Sequence, residues 1–409
     1  MSNQNYIIDL LELKDSNIYF KENFYYKEKI KGIIHKIFEG YLSYKPDYCP
    51  KCGVVFDSKF EKHGFIVSNI KIPDVLGFHS ILKLHKQRYL CKHCNKAFTL
   101  TSNITNYGCF ISNITKHKIA KDLTKKCSEK DIAINNNVSP NTVERVMDSF
   151  YETQKLYKHY LPEVLSFDEF KSVKSADGAM SFHMCNGITG QTIDIIEDRR
   201  LDNLIRYFFF YDYKVRSKVK FIIIDKFHLT QLISRSHNKT RIRIMNKDKK
   251  NHRKLKRYWR LILKDRDELD YSKWKKYVCF NSLMTQSDVV DYLINIDEEL
   301  KQTYLIYQNI LYSFKKKDFN KLKSVLNNIN SKISNYMKTS IKTILEFLPY
   351  IKNTFENEYH NGFIEGNNNF IKVIKRIAFG FRTFRRFKAR IMICKGLLKI
   401  KKNSQCITH

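Results

Sequence analysis

The sequence predicts a mixed α/β core carrying a long helical insertion, preceded by a zinc ribbon and a helix-turn-helix domain. Three observations lead there. Two Cys-x-x-Cys pairs stand in the N-terminal quarter. Two short, well-capped helical segments follow them. Beyond these, strand patterns around one helix give way to a long stretch of helical period and a final helix, the order of an α/β core interrupted by helices. The expected boundaries are residues 1–105, 106–157 and 158–409, with the insertion at about 229–355.

Composition narrows the partners. The 409 residues include 74 Lys and Arg against 41 acids, a formal net charge of +33. An imbalance of that size over a chain that is 43% hydrophobic points to a folded protein with a polyanionic partner, nucleic acid above all. Abundant Lys, Asn, Ile, Tyr and Phe also indicate an AT-rich coding sequence, which does not account for the arginines grouped at Arg382, Arg385, Arg386 and Arg390. The N-terminus lacks a basic region followed by an apolar stretch, and apolar runs such as Phe221–Ile224 are too short to span a bilayer. A cytoplasmic, nucleoid-associated protein with no membrane partner is therefore expected. In that reducing setting the ten cysteines favour metal binding over disulfides.

Cys49-Pro-Lys-Cys52-Gly53 and Cys91-Lys-His-Cys94 read as two knuckles that together supply four thiolates for one structural Zn2+. Gly53 suits the left-handed turn that closes a knuckle. The intervening Gly53–Leu90 stretch, with strand-like Phe65–Ile72 and His79–Leu90, has room for a β-hairpin. The competing reading is two unrelated pairs, with His85 or His93 replacing a thiolate.

Ser128-Glu-Lys-Asp131 is a capping box opening a short helix, and Asn135-Asn136-Asn137 turns the chain. Ser139 then caps a second helix that has Pro140 at its first position. Val143, Val146, Met147 and Phe150 form its apolar stripe, leaving Asn141, Thr142, Glu144 and Arg145 outside. A recognition helix presents its N-terminal residues to base edges in this way, so Ser139, Asn141, Thr142 and Arg145 are candidate DNA contacts. Any two capped helices share the pattern; the ribbon before it and the basic chain around it favour DNA.

Three acids stand out. Asp168 lies near the end of the apolar strand Val164–Phe170, Asp225 ends Val219–Asp225, and Glu365 sits in the first turn of a helix whose apolar face includes Phe370, Ile371, Ile374 and Ile377. Carboxylates on strand ends and a packed helix are what hard Mg2+ or Mn2+ ions need in phosphoryl transfer. Each acid also has a structural reading as a cap or a helix-dipole partner. Glu169, Asp194, Glu197 and Asp198 are alternative ligands. Lys239–Arg260 and the acid-free segment after Glu365, with Lys372, Lys375, Arg376 and Arg382, suit phosphate contacts or solvated faces. Asn361–Ile400 reads as two basic helices divided at Gly380.

Leu165-Ser-Phe-Asp168-Glu169-Phe170, Glu197-Asp198-Arg199-Arg200, Asp225-Lys-Phe-His228 and the block from Asn361-Gly-x-x-Glu365-Gly-x-Asn368 through Arg376-x-Ala378-Phe379-Gly380 resemble the ISL3 family of insertion-sequence transposases. The resemblance implies an RNase H-like sheet and a DDE triad of Asp168, Asp225 and Glu365 binding Mg2+ or Mn2+. It also implies double-stranded DNA partners, both terminal inverted repeats and target, with a homo-oligomer assembling on them. The second acid departs from the family pattern. Family members carry two successive Asp-ending strands joined by a helix and a Pro-Asn-Ala turn. Here one strand, Lys218–Asp225, runs straight into Lys226-Phe-His228, as an internal deletion of about two dozen residues would leave it. The expected function is thus transposition, possessed by an impaired copy; the alternative is a non-catalytic zinc-ribbon and helix-turn-helix DNA binder.

Overall fold

Two long hairpins build the N-terminal sheet. β1 (Ile18–Ile30) and β2 (Ile33–Leu42) pair antiparallel, as do β3 (Phe60–Val75) and β4 (Phe78–Cys91). Both turn over two residues with positive φ, Lys31-Gly32 (50° and 86°) and Leu76-Gly77 (52° and 77°). This is the type I′ geometry whose twist matches that of paired strands. β2 lies parallel to β4, giving the order β1-β2-β4-β3, and β5 (Lys96–Thr99) adds to β4. Ile18, Phe20, Phe38, Leu42, Ile70, Ile72, Leu82 and Leu84 project from one face into the core, as a period of two requires. The second hairpin fills the Gly53–Leu90 stretch, as expected. The first was not foreseen, because exposure on both faces along Lys21–Lys29 hides its alternation.

The structure is a computed structural model describing residues 3–55, 60–151, 159–223, 226–356 and 362–401. It divides into two units, 1–156 with 173–176 and 370–409, and 157–172 with 177–369.

In the first unit, α1 (Asn3–Leu10) precedes the sheet, and α2 (Asn113–Asp122), α3 (Glu129–Asn135) and α4 (Pro140–Phe150) follow it. Ser128 and Asp131 form the capping box of α3, and the Ser139 hydroxyl accepts from Thr142 N–H at the start of α4. Asn137 takes a positive φ of 50° in the turn between them. Val143, Val146, Met147 and Phe150 are buried against Ile119, Leu123 and Ile132. The same cluster takes in Ile393 of the C-terminal helix in this unit.

The second unit holds a four-stranded sheet of order β8-β7-β6-β9. β6 (Val164–Lys171), β7 (Met180–Asn186) and β8 (Thr192–Ile196) form an antiparallel meander, and β9 (Phe221–Ile223) runs parallel to β6. α5 (Leu201–Phe209) and α6 (Tyr213–Arg216) connect β8 to β9. Helices fill residues 226–356: α7 (Lys226–Lys247), α8 (His252–Arg257), α9 (Trp259–Ile262), α10 (Gln286–Ile294), α11 (Glu298–Lys316), α12 (Phe319–Asn327), α13 (Asn335–Glu346) and α14 (Leu348–Glu356). A two-residue ladder, β10 (Lys275–Lys276) with β11 (Leu283–Met284), interrupts them. α15 (Gly362–Ile377) starts in this unit and runs into residues of the first, to which α16 (Phe384–Cys394) belongs, and Gly380 at φ 125° separates the two helices.

Leu201, Ile205 and Phe209, one turn apart along α5, are exposed, as are Phe210, Tyr213 and Ile222 of β9. Together they form an exposed apolar stripe, partly capped by Arg216, whose guanidinium lies 4.7 Å from the centre of the Phe209 ring. By contrast His237 is fully buried in α7, its ring stacked on Tyr307 at 5.1 Å. Burial, with Arg241 nearby, holds the imidazole neutral down to about 3. An unfolded chain takes up that proton near 6.5, so the unfolded state binds it first. Stability from His237 is therefore complete above about pH 6.5 and falls by about 1.4 kcal/mol per pH unit below it. Urea unfolding between pH 7.5 and 5 should show this slope, and His237→Phe should flatten it. An unchanged slope would remove His237 as its cause.

Candidate functional site

The four cysteines converge. Cys49 Sγ lies 3.9 Å from Cys94 Sγ, and Cys52 Sγ 3.8 Å from Cys91 Sγ. All four sulfurs fall within 4.8 Å of one another. A tetrahedron with Zn–S bonds of about 2.3 Å has edges of about 3.8 Å, so the set fits Zn2+ and leaves no position for substrate. The knuckles are built alike. The residue after each second cysteine is left-handed, Gly53 at φ 74° and Asn95 at φ 53°. In the first, Gly53 N–H donates to Cys49 O at 2.8 Å and Lys51 N–H to Cys49 Sγ at 3.4 Å. At Cys49 burial works against ionisation, but the Lys51 and Cys52 N–H groups prevail and bring the thiol down to about 7. At Cys52 the Val54 N–H favours the thiolate but loses to burial and the neighbouring thiols, which push it up.

A second cluster forms around Asp168 on β6. Asp168 Oδ1 accepts from Glu169 N–H at 2.8 Å and lies 3.4 Å from His228 Nε2 in the first turn of α7. Oδ2 accepts from Asn368 Nδ2 at 2.8 Å. The Asn368 amide is fixed in turn by His183 on β7. His183 Nδ1 meets Asn368 Oδ1 at 3.1 Å, and its Nε2 meets Thr192 Oγ1 at 3.0 Å. Since Oδ1 only accepts, His183 carries its proton on Nδ1, and the Thr192 hydroxyl donates to Nε2. Asn368 and His183 are buried. The N-terminal half of α15 seats against the β7–β8 turn, where Asn367 Nδ2 donates to Gly190 O at 2.8 Å.

Glu365 stands exposed on α15, three residues before Asn368 and so on the same helix face. Asp225 lies outside the described residues. Of the alternative acids, Glu169 lies in the Asp168 cluster with His228, and the other three are engaged elsewhere. Asp194 is buried and accepts from Tyr207 Oη at 2.9 Å; Asp198 accepts from Arg200 and Asn203, which with Arg200's charge outweigh burial and hold its carboxyl below the usual range. Glu197 accepts from Asp177 N–H. Sequence reasoning named neither Asn368 nor His183 as site residues. The signal for Asn368 was its spacing of one turn from Glu365; for His183, inside an apolar strand, there was none.

On α4, Asn141 and Arg145 are exposed and Thr142 half-buried, beside an open cleft of about 780 Å3 that Thr142 and Arg145 help to line. Ser139 is occupied as the helix cap. Lys372, Arg376 and Arg382 are exposed and Lys375 half-buried. The arginine group divides. Arg386 pairs with Glu144 and Asp148 of α4, and Arg385 with Asp148. Arg390 is buried and donates to Lys125 O at 3.0 Å and Cys127 O at 2.8 Å. Arg386 and Arg390 hold α16 on the small helices, and Arg385 remains exposed beside Asp148.

A family model for "zinc-finger of transposase IS204/IS1001/IS1096/IS1165" matches residues 45–94, and the ISL3-type DDE model, described as "Transposase", matches 221–391. The chain belongs to the ISL3 transposase family. In this ISL3 transposase homologue the first match frames both knuckles, and the four-cysteine cluster is a structural zinc site. The second match includes Asp225, His228, Glu365 and Asn368, while Asp168 precedes it. A curated protein of Lactococcus lactis subsp. lactis named "ATP-dependent protease" is 42% identical over 113 residues, 28% of this chain and 36% of its own length. The chain spans about a third of that relative. No helix among the described residues is long and apolar enough to cross a membrane.

Proposed function

We propose that this ISL3-family chain binds the terminal inverted repeats of an insertion sequence and acts in metal-dependent DNA cleavage and strand transfer through Asp168, Asp225 and Glu365. The observation that carries the reading is the bond from Asn368 to Asp168, which joins the helix of Glu365 to the strand of Asp168. The strand order also supports it. A three-stranded meander followed by a strand parallel to its first member is the arrangement expected of an RNase H-like sheet. Asp225 follows Ile223 by two residues as Asp168 follows Ser166, and Ser166 and Ile223 are register partners. Bound Mg2+ or Mn2+ would lower the pKa of water and neutralise developing phosphate charge. The chain's own part is to hold carboxylate oxygens toward the ion, with Asn368 orienting Asp168 and Glu365 presented from α15.

DNA recognition is assigned to residues 49–150, with α3 and α4 as the helix-turn-helix. Asn141, Thr142 and Arg145 would face bases, and Lys372, Lys375, Arg376 and Arg382 phosphates. Arg145→Ala should lose about 1–3 kcal/mol of discrimination at one base pair if the contact is bidentate. Binding measured on repeat and scrambled duplexes decides this. Equal weakening on both makes Arg145 a phosphate contact instead.

The exposed apolar stripe on α5 and the exposed Ile222 of β9 support a second reading of the core. A deleted strand and helix would leave such a surface, and this copy would then bind DNA while cleaving it poorly. In that case it acts as a zinc-ribbon and helix-turn-helix binder. A nicking assay on repeat-end duplex, with Mg2+ or Mn2+, separates the two.

A further inference from the structure

We infer that His228 is a nitrogen ligand at the Asp168 site, and that the site therefore takes Mn2+ in preference to Mg2+. The inference rests on the reading of Asp168 as a metal-binding acid. Ligand atoms of Asp168, Glu169 and His228 all lie within 4.8 Å of one another, and His228 Nε2 is 3.4 Å from Asp168 Oδ1. Donors on one octahedral ion with bonds of about 2.1 Å are about 3 Å apart when adjacent and about 4.2 Å when opposite. The observed span falls in that window after small adjustments of exposed side chains.

The bland reading of the same contact is a surface ion pair, worth little. What argues for a ligand is how Asp168 is held. Its Oδ2 is tied to Asn368, and Asn368 to His183 and Thr192, all three of these partners buried. A carboxylate pinned through one oxygen by a buried polar chain presents the other in a fixed direction. Metal-ligating carboxylates are supported by outer-shell hydrogen bonds of this kind. The presented oxygen, Oδ1, is the one His228 approaches, and the His228 side chain is half-exposed, open to ion and water. Glu169 also pairs with Arg199 Nη1 at 3.0 Å, a cation that counterbalances a second carboxylate so close to the first. Selectivity follows from the donors. Mg2+ demands oxygen ligands and dehydrates reluctantly, whereas imidazole suits transition metals.

The test is Mn2+ titration of the full zinc-loaded chain, read by the EPR signal of free Mn2+, with pulsed EPR for 14N coupling in the bound state. The wild-type chain should bind Mn2+ with 14N coupling, and Mg2+ should displace it only in large excess. His228→Ala, checked for unchanged zinc content and circular dichroism, should lose the coupling and weaken Mn2+ by at least the roughly 10-fold that loss of an outer-shell partner costs. Asp168→Ala should abolish binding. Asp168-dependent binding without 14N coupling, or equal displacement by Mg2+, overturns the nitrogen ligand and leaves Asp168 standing. If Asp168→Ala changes nothing, or no Mn2+ binds, the underlying metal-site reading fails instead.

Discussion

Cys49→Ser is expected to release the zinc and unfold the Tyr48–Val55 knuckle, because metal binding supplies the folding energy of such a site. Structural zinc contributes on the order of 10–16 kcal/mol at neutral pH in small zinc domains. The loss here should be local. β1 to β4 supply most of their core through residues such as Ile18, Phe38, Leu82 and Leu84, to which the knuckle adds Cys49 and Val54, and the four sulfurs join the knuckle to Cys91 and Cys94. Zinc analysis should fall from one equivalent to none, and proteolysis should open the chain near Cys49 first. One retained equivalent with unchanged protease resistance would show that the thiolates are not the zinc's ligands.

The second large effect concerns the acids. Asp168→Ala and Glu365→Ala should each remove metal-dependent nicking while leaving repeat binding intact. A carboxylate that holds the ion and steadies transition-state charge contributes several kcal/mol, on the order of a thousandfold or more in rate. DNA binding should be spared because α3 and α4 have their own core of Ile119, Leu123, Val143 and Met147, to which Asp168 does not contribute. Gel-shift and nicking measurements on one preparation give both quantities. Parallel loss of the two would mean that the replacements damage the fold.

Short-range chemistry made part of this protein readable in advance. The cysteine spacing, the left-handed Gly53, the Ser128 capping box and Pro140 after Ser139 act over a few residues, and the folded chain uses each as its local geometry demands. The apolar stripe of α4 could be read for the same reason. What escaped depends on partners distant in sequence. Arg386 and Arg390 looked like charge offered to DNA, yet they meet Glu144, Asp148 and the carbonyls after α2, more than 200 residues earlier. His183 sits in an apolar run, and only the approach of Asn368, 185 residues later, gives it a role. The β1–β2 hairpin was hidden because alternation disappears where both faces of a strand meet water. Asp225, the acid most altered in context, lies outside the described residues, and its role rests on its place after Ile223.

We propose that this chain is built as a DDE enzyme and that its core has lost a strand and helix next to Asp225. One measurement addresses both halves: nicking of a repeat-end duplex with Mg2+ or Mn2+ by the 409-residue chain, by a version with the strand-helix segment restored, and by that version carrying Asp168→Ala. Strong nicking by the restored version, weak nicking by the present chain and none with Asp168→Ala is the expected result. Nicking by the present chain equal to the restored one would contradict the deletion, and nicking that survives Asp168→Ala would contradict the catalytic site itself.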